Sequence, residues 1–290
     1  MAKLFPILAF SGLSVAGFGG WYSFSGLRPK NLKQYLEWQG FELAFNKGDN
    51  IWKSILNEYR DIVARRTGKD SPQEKDIQDW CSEHLLQKDY ETFKDDASKL
   101  CVNNPRTVRA KIVQQSGDIK SLIEGSSDNK DKDYKVAYIF RKHISGFTKL
   151  IGFTPPSEKE GEEVIENIVG GGEALKKWCL KSLESKPDDS LISNVKTLCS
   201  PKGFKTILEL IKKLGQEGLL LTDDSNTAQL IMKYNQIKDK SSWVQESKSS
   251  NESNYFDLKK WCEEHKEKNF YEEGVFSNVY PKFRFRCLKS

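Results

Sequence analysis

Leu175-Lys176-Lys177-Trp178-Cys179 recurs as Leu258-Lys259-Lys260-Trp261-Cys262 and, in a looser copy, as Ile77-Gln78-Asp79-Trp80-Cys81. A second cysteine follows each copy: Cys199, Cys287 and Cys101 respectively. These six are all the cysteines of the chain. The apolar residue lies three positions before the tryptophan and four before the cysteine, which is helical spacing, so each copy reads as a helix with Leu or Ile and Cys on one face. The cysteines are 20 positions apart in two copies (81 to 101, 179 to 199) and 25 in the third (262 to 287). Six cysteines permit fifteen pairings; the repeat favours Cys81–Cys101, Cys179–Cys199 and Cys262–Cys287. Structural disulfides imply an oxidising compartment. A closed loop of this length is worth about 3 kcal/mol in the chain-entropy description.

The 290 residues are 37% hydrophobic and 30% charged, with a net charge of only +5. Such a composition fits well-solvated helices around thin cores. Both signs of charge are interspersed along the chain, so a broad basic face for nucleic acid is not expected.

After Lys3, residues Leu4 to Leu27 carry no charge and end at Arg28-Pro29-Lys30. That length spans a bilayer as a helix, with Trp21 and Tyr22 near an interface. Gly12, Ala16 and Gly20 fall four apart, a small-residue face that would allow self-association in a membrane. A signal peptide cleaved before Gly26, with Ser23 and Ser25 as the small residues of the site, is the competing reading. The flanking charges nearly tie under the positive-inside rule, and the disulfides place the body outside.

The body reads as helices separated by turn chemistry. Ile51, Trp52, Ile55, Leu56, Tyr59 and Ile62 form one apolar stripe,. Ser71 and Pro72 read as the cap and first turn of the first Trp-Cys helix. The helix from Thr107 to Ile123 is assigned to the first copy, and that from Phe204 to Leu214 to the second. Gly125 to Asp133 reads as a linker, Gly170-Gly171-Gly172 as a break in the helix leading to Trp178, and Ser241 to Asn254 as a mobile polar stretch. The resulting division is an anchor or signal segment 1–27, a unit 28–125 with Cys81–Cys101, a unit 131–221 with Cys179–Cys199, and a unit 222–290 with Cys262–Cys287. The Trp-Cys recurrences lie 98 and 83 residues apart (80 to 178 to 261). The expected fold is all-α: three diverged helical units behind an N-terminal membrane or signal helix.

Chemistry is sparse. Trp80, Trp178 and Trp261 are expected to pack against the disulfides as core aromatics. Cys81 with His84 and Cys262 with His265 share Cys-x-x-His, which would suit zinc. The middle copy, however, has Ser182 at the histidine position and keeps both cysteines, so pairing is favoured over metal. Gly170-Gly171-Gly172 has no following Lys-Ser/Thr to support a phosphate site. Asp95-Asp96, Asp188-Asp189 and Asp223-Asp224 read as solvated or capping pairs. No catalytic residue, metal ligand or cofactor site is assigned, and no enzymatic activity is expected.

The glycine-rich apolar leader, the Lys/Glu/Asn-heavy body and the three Trp-Cys copies (Ile77 to Cys101, Leu175 to Cys199, Leu258 to Cys287) together resemble large paralogous protein families of haemotropic mycoplasmas. Members are typically exported or membrane-anchored and carry no assigned activity; most have fewer Trp-Cys units. The resemblance implies a single-pass cell-membrane protein with its body outside, or a secreted one if the leader is cleaved. The expected role is interaction with host cells or another surface partner. A structural envelope protein, or a secreted enzyme with an unrecognised site, are the alternatives.

Overall fold

The computed structural model describes residues 28–46, 48, 50–126, 128–156, 165–247 and 254–289. Among these the chain forms fifteen α-helices, and three isolated β-bridges stand in place of any strand. The leader Leu4–Leu27, with Gly12, Ala16 and Gly20, lies outside the described residues. Among the described residues no helix is long and apolar enough to cross a membrane.

All three local disulfides are formed, Cys81–Cys101, Cys179–Cys199 and Cys262–Cys287, with Cα separations of 5.6, 5.8 and 5.7 Å. Each first cysteine sits inside a helix: Glu74–His84, Ile168–Leu183 or Tyr255–Lys266. Each second cysteine ends or follows another: Lys94–Leu100, Asp189–Leu198 or Tyr280–Cys287.

Three matched sets of backbone pairings surround these bridges. A helix capped by Asn31, Thr107 or Thr206 begins at Leu32, Val108 or Ile207. The N–H of that first residue donates to Gln87 O, Ser185 O or Lys268 O, six positions past the first cysteine in every case. A second donor, Ala44, Ile123 or Leu221, reaches the carbonyl of Cys101, Cys199 or Cys287 at 2.9 Å each time. The residue before each donor is a buried leucine: Leu43, Leu122 or Leu220. Two of these, Leu43 and Leu220, also form antiparallel bridges with Val102 and Leu288. Pairing to a buried carbonyl satisfies groups that burial would otherwise leave without water.

These pairings move the boundaries. The helices Val108–Ser116 and Ile207–Lys213, expected to close the first and second units, instead bond forward to residues of the next Trp-Cys segment. The compact units are two: Met1–Lys47 with Asp61–Asn104, and Gly48–Arg60 with Pro105–Ser290. The division thus falls at 104/105 rather than between 125 and 131, and no division falls at 221/222. The reason is burial. One continuous apolar cluster runs from Val108 to Leu288, so the second and third Trp-Cys segments share a core. Partly buried Phe140 packs against it, with Phe204, Phe270 and Phe276 edge-on at 4.8–4.9 Å, a favoured aromatic geometry.

The helix Asn50–Thr67 belongs partly to each unit, and its backbone leaves helical geometry at Tyr59, one residue before the division at 60/61. Its stripe is buried at Ile51, Trp52, Ile55 and Leu56.

Gly170-Gly171-Gly172 does not break a helix. Ile168–Leu183 runs through it, capped by Asn167. The glycines are where helix Lys130–Ile139 comes closest: a Cβ on Gly171 would lie 2.2 Å from Cζ of Tyr138, and one on Gly172 2.9 Å from Cγ of Lys135. Only hydrogen fits. The expected linker Gly125 to Asp133 is entered by helix Ile123–Ser126 and left by helix Lys130–Ile139, and Glu124 of the first accepts a hydrogen bond from buried Tyr134 of the second at 3.0 Å. Ser241–Ser247 is a helix that buries Trp243 to 1% exposure, although the sequence around it is polar. The first Trp-Cys helix is capped at Gln73 rather than Ser71, and Asp76 accepts the Gln73 N–H at 2.8 Å.

Candidate functional site

The six cysteines are all consumed in disulfides, which removes Cys81 and Cys262 as metal ligands. Among the described residues no group of three or more His, Cys, Asp and Glu could hold an ion. The two Cys-x-x-His histidines have another use. His84 Nδ1 bonds Trp80 O at 2.8 Å and its ring stacks on Trp80 at 4.6 Å. His265 repeats this on Trp261, at 2.7 and 3.9 Å. Ring stacking one turn apart follows from the i, i+4 relation; the adjacent cysteine points about 100° away around the helix. Trp80 and Trp261 are buried, whereas Trp178, opposite Ser182 rather than a histidine, is only half-buried. His143 stacks on Phe276 at 5.9 Å.

Burial holds the His265 imidazole below the ordinary histidine value. The folded chain therefore binds its proton less readily than the unfolded chain. The stability this contributes is complete above the unfolded value, about 6.5, and is lost as pH falls through the window beneath it. Urea midpoints measured at pH 7.5 and 5.5 should fall with acid, and His265→Gln should flatten the difference. An unchanged slope in that variant would remove His265 from the account.

The acidic pairs are structural. Asp96 is buried and paired with Arg66 at 2.5 Å and Arg65 at 3.4 Å. Asp188 caps its helix through Leu191 N–H, Asp223 accepts from Ser225, and Asp224 pairs with Lys259 at 2.6 Å.

A pair of glutamates that no motif announced joins the second and third Trp-Cys segments. Glu166, 1% exposed, accepts the N–H groups of Gly274 and Ser277, both at 2.8 Å. Glu273 reciprocates, accepting those of Asn167 at 2.8 Å and Ile168 at 3.1 Å. Each carboxylate spends both oxygens on backbone donors, so the arrangement is a latch and not an acid–base couple. Glu166→Gln should cost about 2 kcal/mol, because one buried N–H then faces an amide NH₂. Urea denaturation of the oxidised chain measures it; a change below about 0.5 kcal/mol would class the site with ordinary surface positions.

The least ordinary surface lies at the C-terminus. Helix Tyr280–Cys287 turns Phe283, Arg286 and Cys287 inward and leaves Arg284 and Phe285 outside. Two aromatics two positions apart lie on opposite sides of a helix, so Phe283 is fully buried while Phe285 is 51% exposed. Lys233 and Lys240, from the neighbouring helix and its end, place their ammonium groups over the Phe285 ring at 5.0 and 5.3 Å. Arg286 occupies the position that is Leu100 or Leu198 in the other copies. Its buried guanidinium lies over Trp243 at 5.4 Å and Trp261 at 4.8 Å and donates to Glu246, which also holds Lys282.

Three grooves of about 250, 420 and 350 Å³ adjoin here, the first two sharing Pro281 and Phe285, the last two sharing Lys289. Their lining includes six cations, Lys233, Lys240, Lys282, Arg284, Arg286 and Lys289, and among the described residues no carboxylate. By contrast, the 490 Å³ groove beside Gly172 mixes Asp131 and Glu173 with its lysines. The charge balance of the whole chain conceals this local segregation. The cue in the sequence is Lys282-Phe283-Arg284-Phe285-Arg286, which on its own reads only as aromatics alternating with polar residues.

Comparison with protein-family models, with curated proteins and with solved structures finds no match.

Proposed function

We propose that the chain is an exported, non-catalytic interaction protein, built from three diverged copies of one helical unit behind an N-terminal membrane anchor. Its binding work is done by the surface around Phe285. That surface is the observation that carries the reading: cations and exposed apolar groups gathered on one face of an otherwise charge-balanced chain. The three sets of matched pairings support the repeat, since each copy docks its entry helix on the same two carbonyl positions. Three disulfides in 290 residues support an oxidising location,. The uncharged leader and the resemblance to exported mycoplasma families support the anchor and the outward-facing body. Against catalysis, the buried carboxylates among the described residues are engaged: Glu166 by backbone N–H groups, Asp96 by arginines and Asp133 by Lys205 at 3.4 Å.

Location is tested by protease shaving of intact cells. The body should be cleaved while a cytosolic marker survives, and peptide mapping without reductant should recover the three local bridges. An intact chain inside shaved cells, with its cysteines as thiols, would overturn the reading.

A further inference from the structure

We propose that the Phe285 surface takes an extended acidic peptide segment that also carries apolar side chains. The inference rests on reading the chain as a binding protein and names the class of its partner.

Charge sets the first requirement. Of the six lining cations, Lys282 and Arg286 are already paired with Glu246, and the remaining excess of positive charge calls for an anionic partner; complementary charge governs both selection and encounter rate. The apolar half sets the second. Phe285 and Met232 are 51% and 63% exposed, Leu219 is 39%, and Leu288 and Pro281 line the same grooves. A sulfated polysaccharide or a nucleic-acid backbone would leave those groups unused, whereas carboxylates alternating with Leu or Phe would use both. The ring of Phe285 sets the third. Stacking of nucleobases needs an open aromatic face, and Lys233 and Lys240 already lie over this one. The grooves run on from one another, so an extended segment fits better than a compact ligand.

The test uses the full oxidised chain and fluorescent probes of about a dozen residues. One alternates Glu or Asp with Leu or Phe; a second keeps the acids and replaces the apolar residues with Ser; a heparin fragment and a single-stranded oligonucleotide complete the set. The first peptide should bind best, lose about tenfold or more when its apolar residues become Ser, and weaken as salt rises. Phe285→Ser and Arg284→Glu, both at exposed positions, should each weaken it by about tenfold with melting temperatures unchanged. Equal binding of the two peptides, tighter binding of heparin or oligonucleotide, or wild-type affinity in both variants would each overturn the assignment. Shaving and disulfide mapping read the broader proposal separately, so a failure here with those results intact sinks the partner class alone.

Discussion

Reducing all three disulfides under otherwise native conditions should unfold the chain. Each bridge closes a loop of 20 or 25 residues and restricts the unfolded ensemble by about 3 kcal/mol. Small domains hold only about 5–15 kcal/mol of net stability, so losing three such constraints removes most of it. The effect is local first. Cys179→Ala with Cys199→Ala should lower stability by about 3 kcal/mol, read from urea denaturation followed by circular dichroism. Both residues are at most 1% exposed, and Cys199 O also receives the Ile123 N–H that seats the entry segment. A loss under about 1 kcal/mol would mean that the apolar cluster, and not the bridge, holds these helices together.

Gly171→Ala is the second large effect. The added methyl would stand 2.2 Å from the Tyr138 ring, which real Cβ atoms do not approach. Tyr138 has nowhere to go: it is fully buried, with Phe153 edge-on at 5.6 Å and Phe147 tilted against it at 6.3 Å. Overpacking of this kind costs about 3 kcal/mol, because one of the two helices must shift. The gain in helix propensity from alanine, about 1 kcal/mol, is too small to offset it. Gly218→Ala serves as the control: the methyl that alanine would carry there has nothing within 4 Å, and the change should stay within about 0.5 kcal/mol. In a double-mutant cycle, Tyr138→Ala should relieve much of the Gly171→Ala penalty. Strict additivity of the two would refute a direct clash.

The sequence by itself determined the helical class and the positions of the Trp-Cys helices, and its repeat favoured the three bridges that the structure forms. Those features are local: Ile77, Leu175 and Leu258 lie one turn from their cysteines, and 20 residues suffice to bring Cys81 and Cys101 together. The tertiary structure alone decided which way the connecting helices fold. Val108–Ser116 and Ile207–Lys213 follow a cysteine in the chain but bond to carbonyls far ahead of them, Val108 N–H to Ser185 O and Ile207 N–H to Lys268 O. Periodicity shows that such a helix has an apolar face, yet not what that face meets. Distance hid the rest as well. Glycine at 171 signals flexibility until Tyr138 is placed against it, Trp243 sits in a polar stretch whose core lies elsewhere, and Glu166 finds its donors 108 and 111 residues away. The cations around Phe285 come from two segments, Lys233 to Lys240 and Lys282 to Lys289, and the second carries four cations and no acid, which the near balance of charge over the whole chain conceals. Only packing sets Lys233 and Lys240 against Phe285, because neither segment alone specifies that it meets the other.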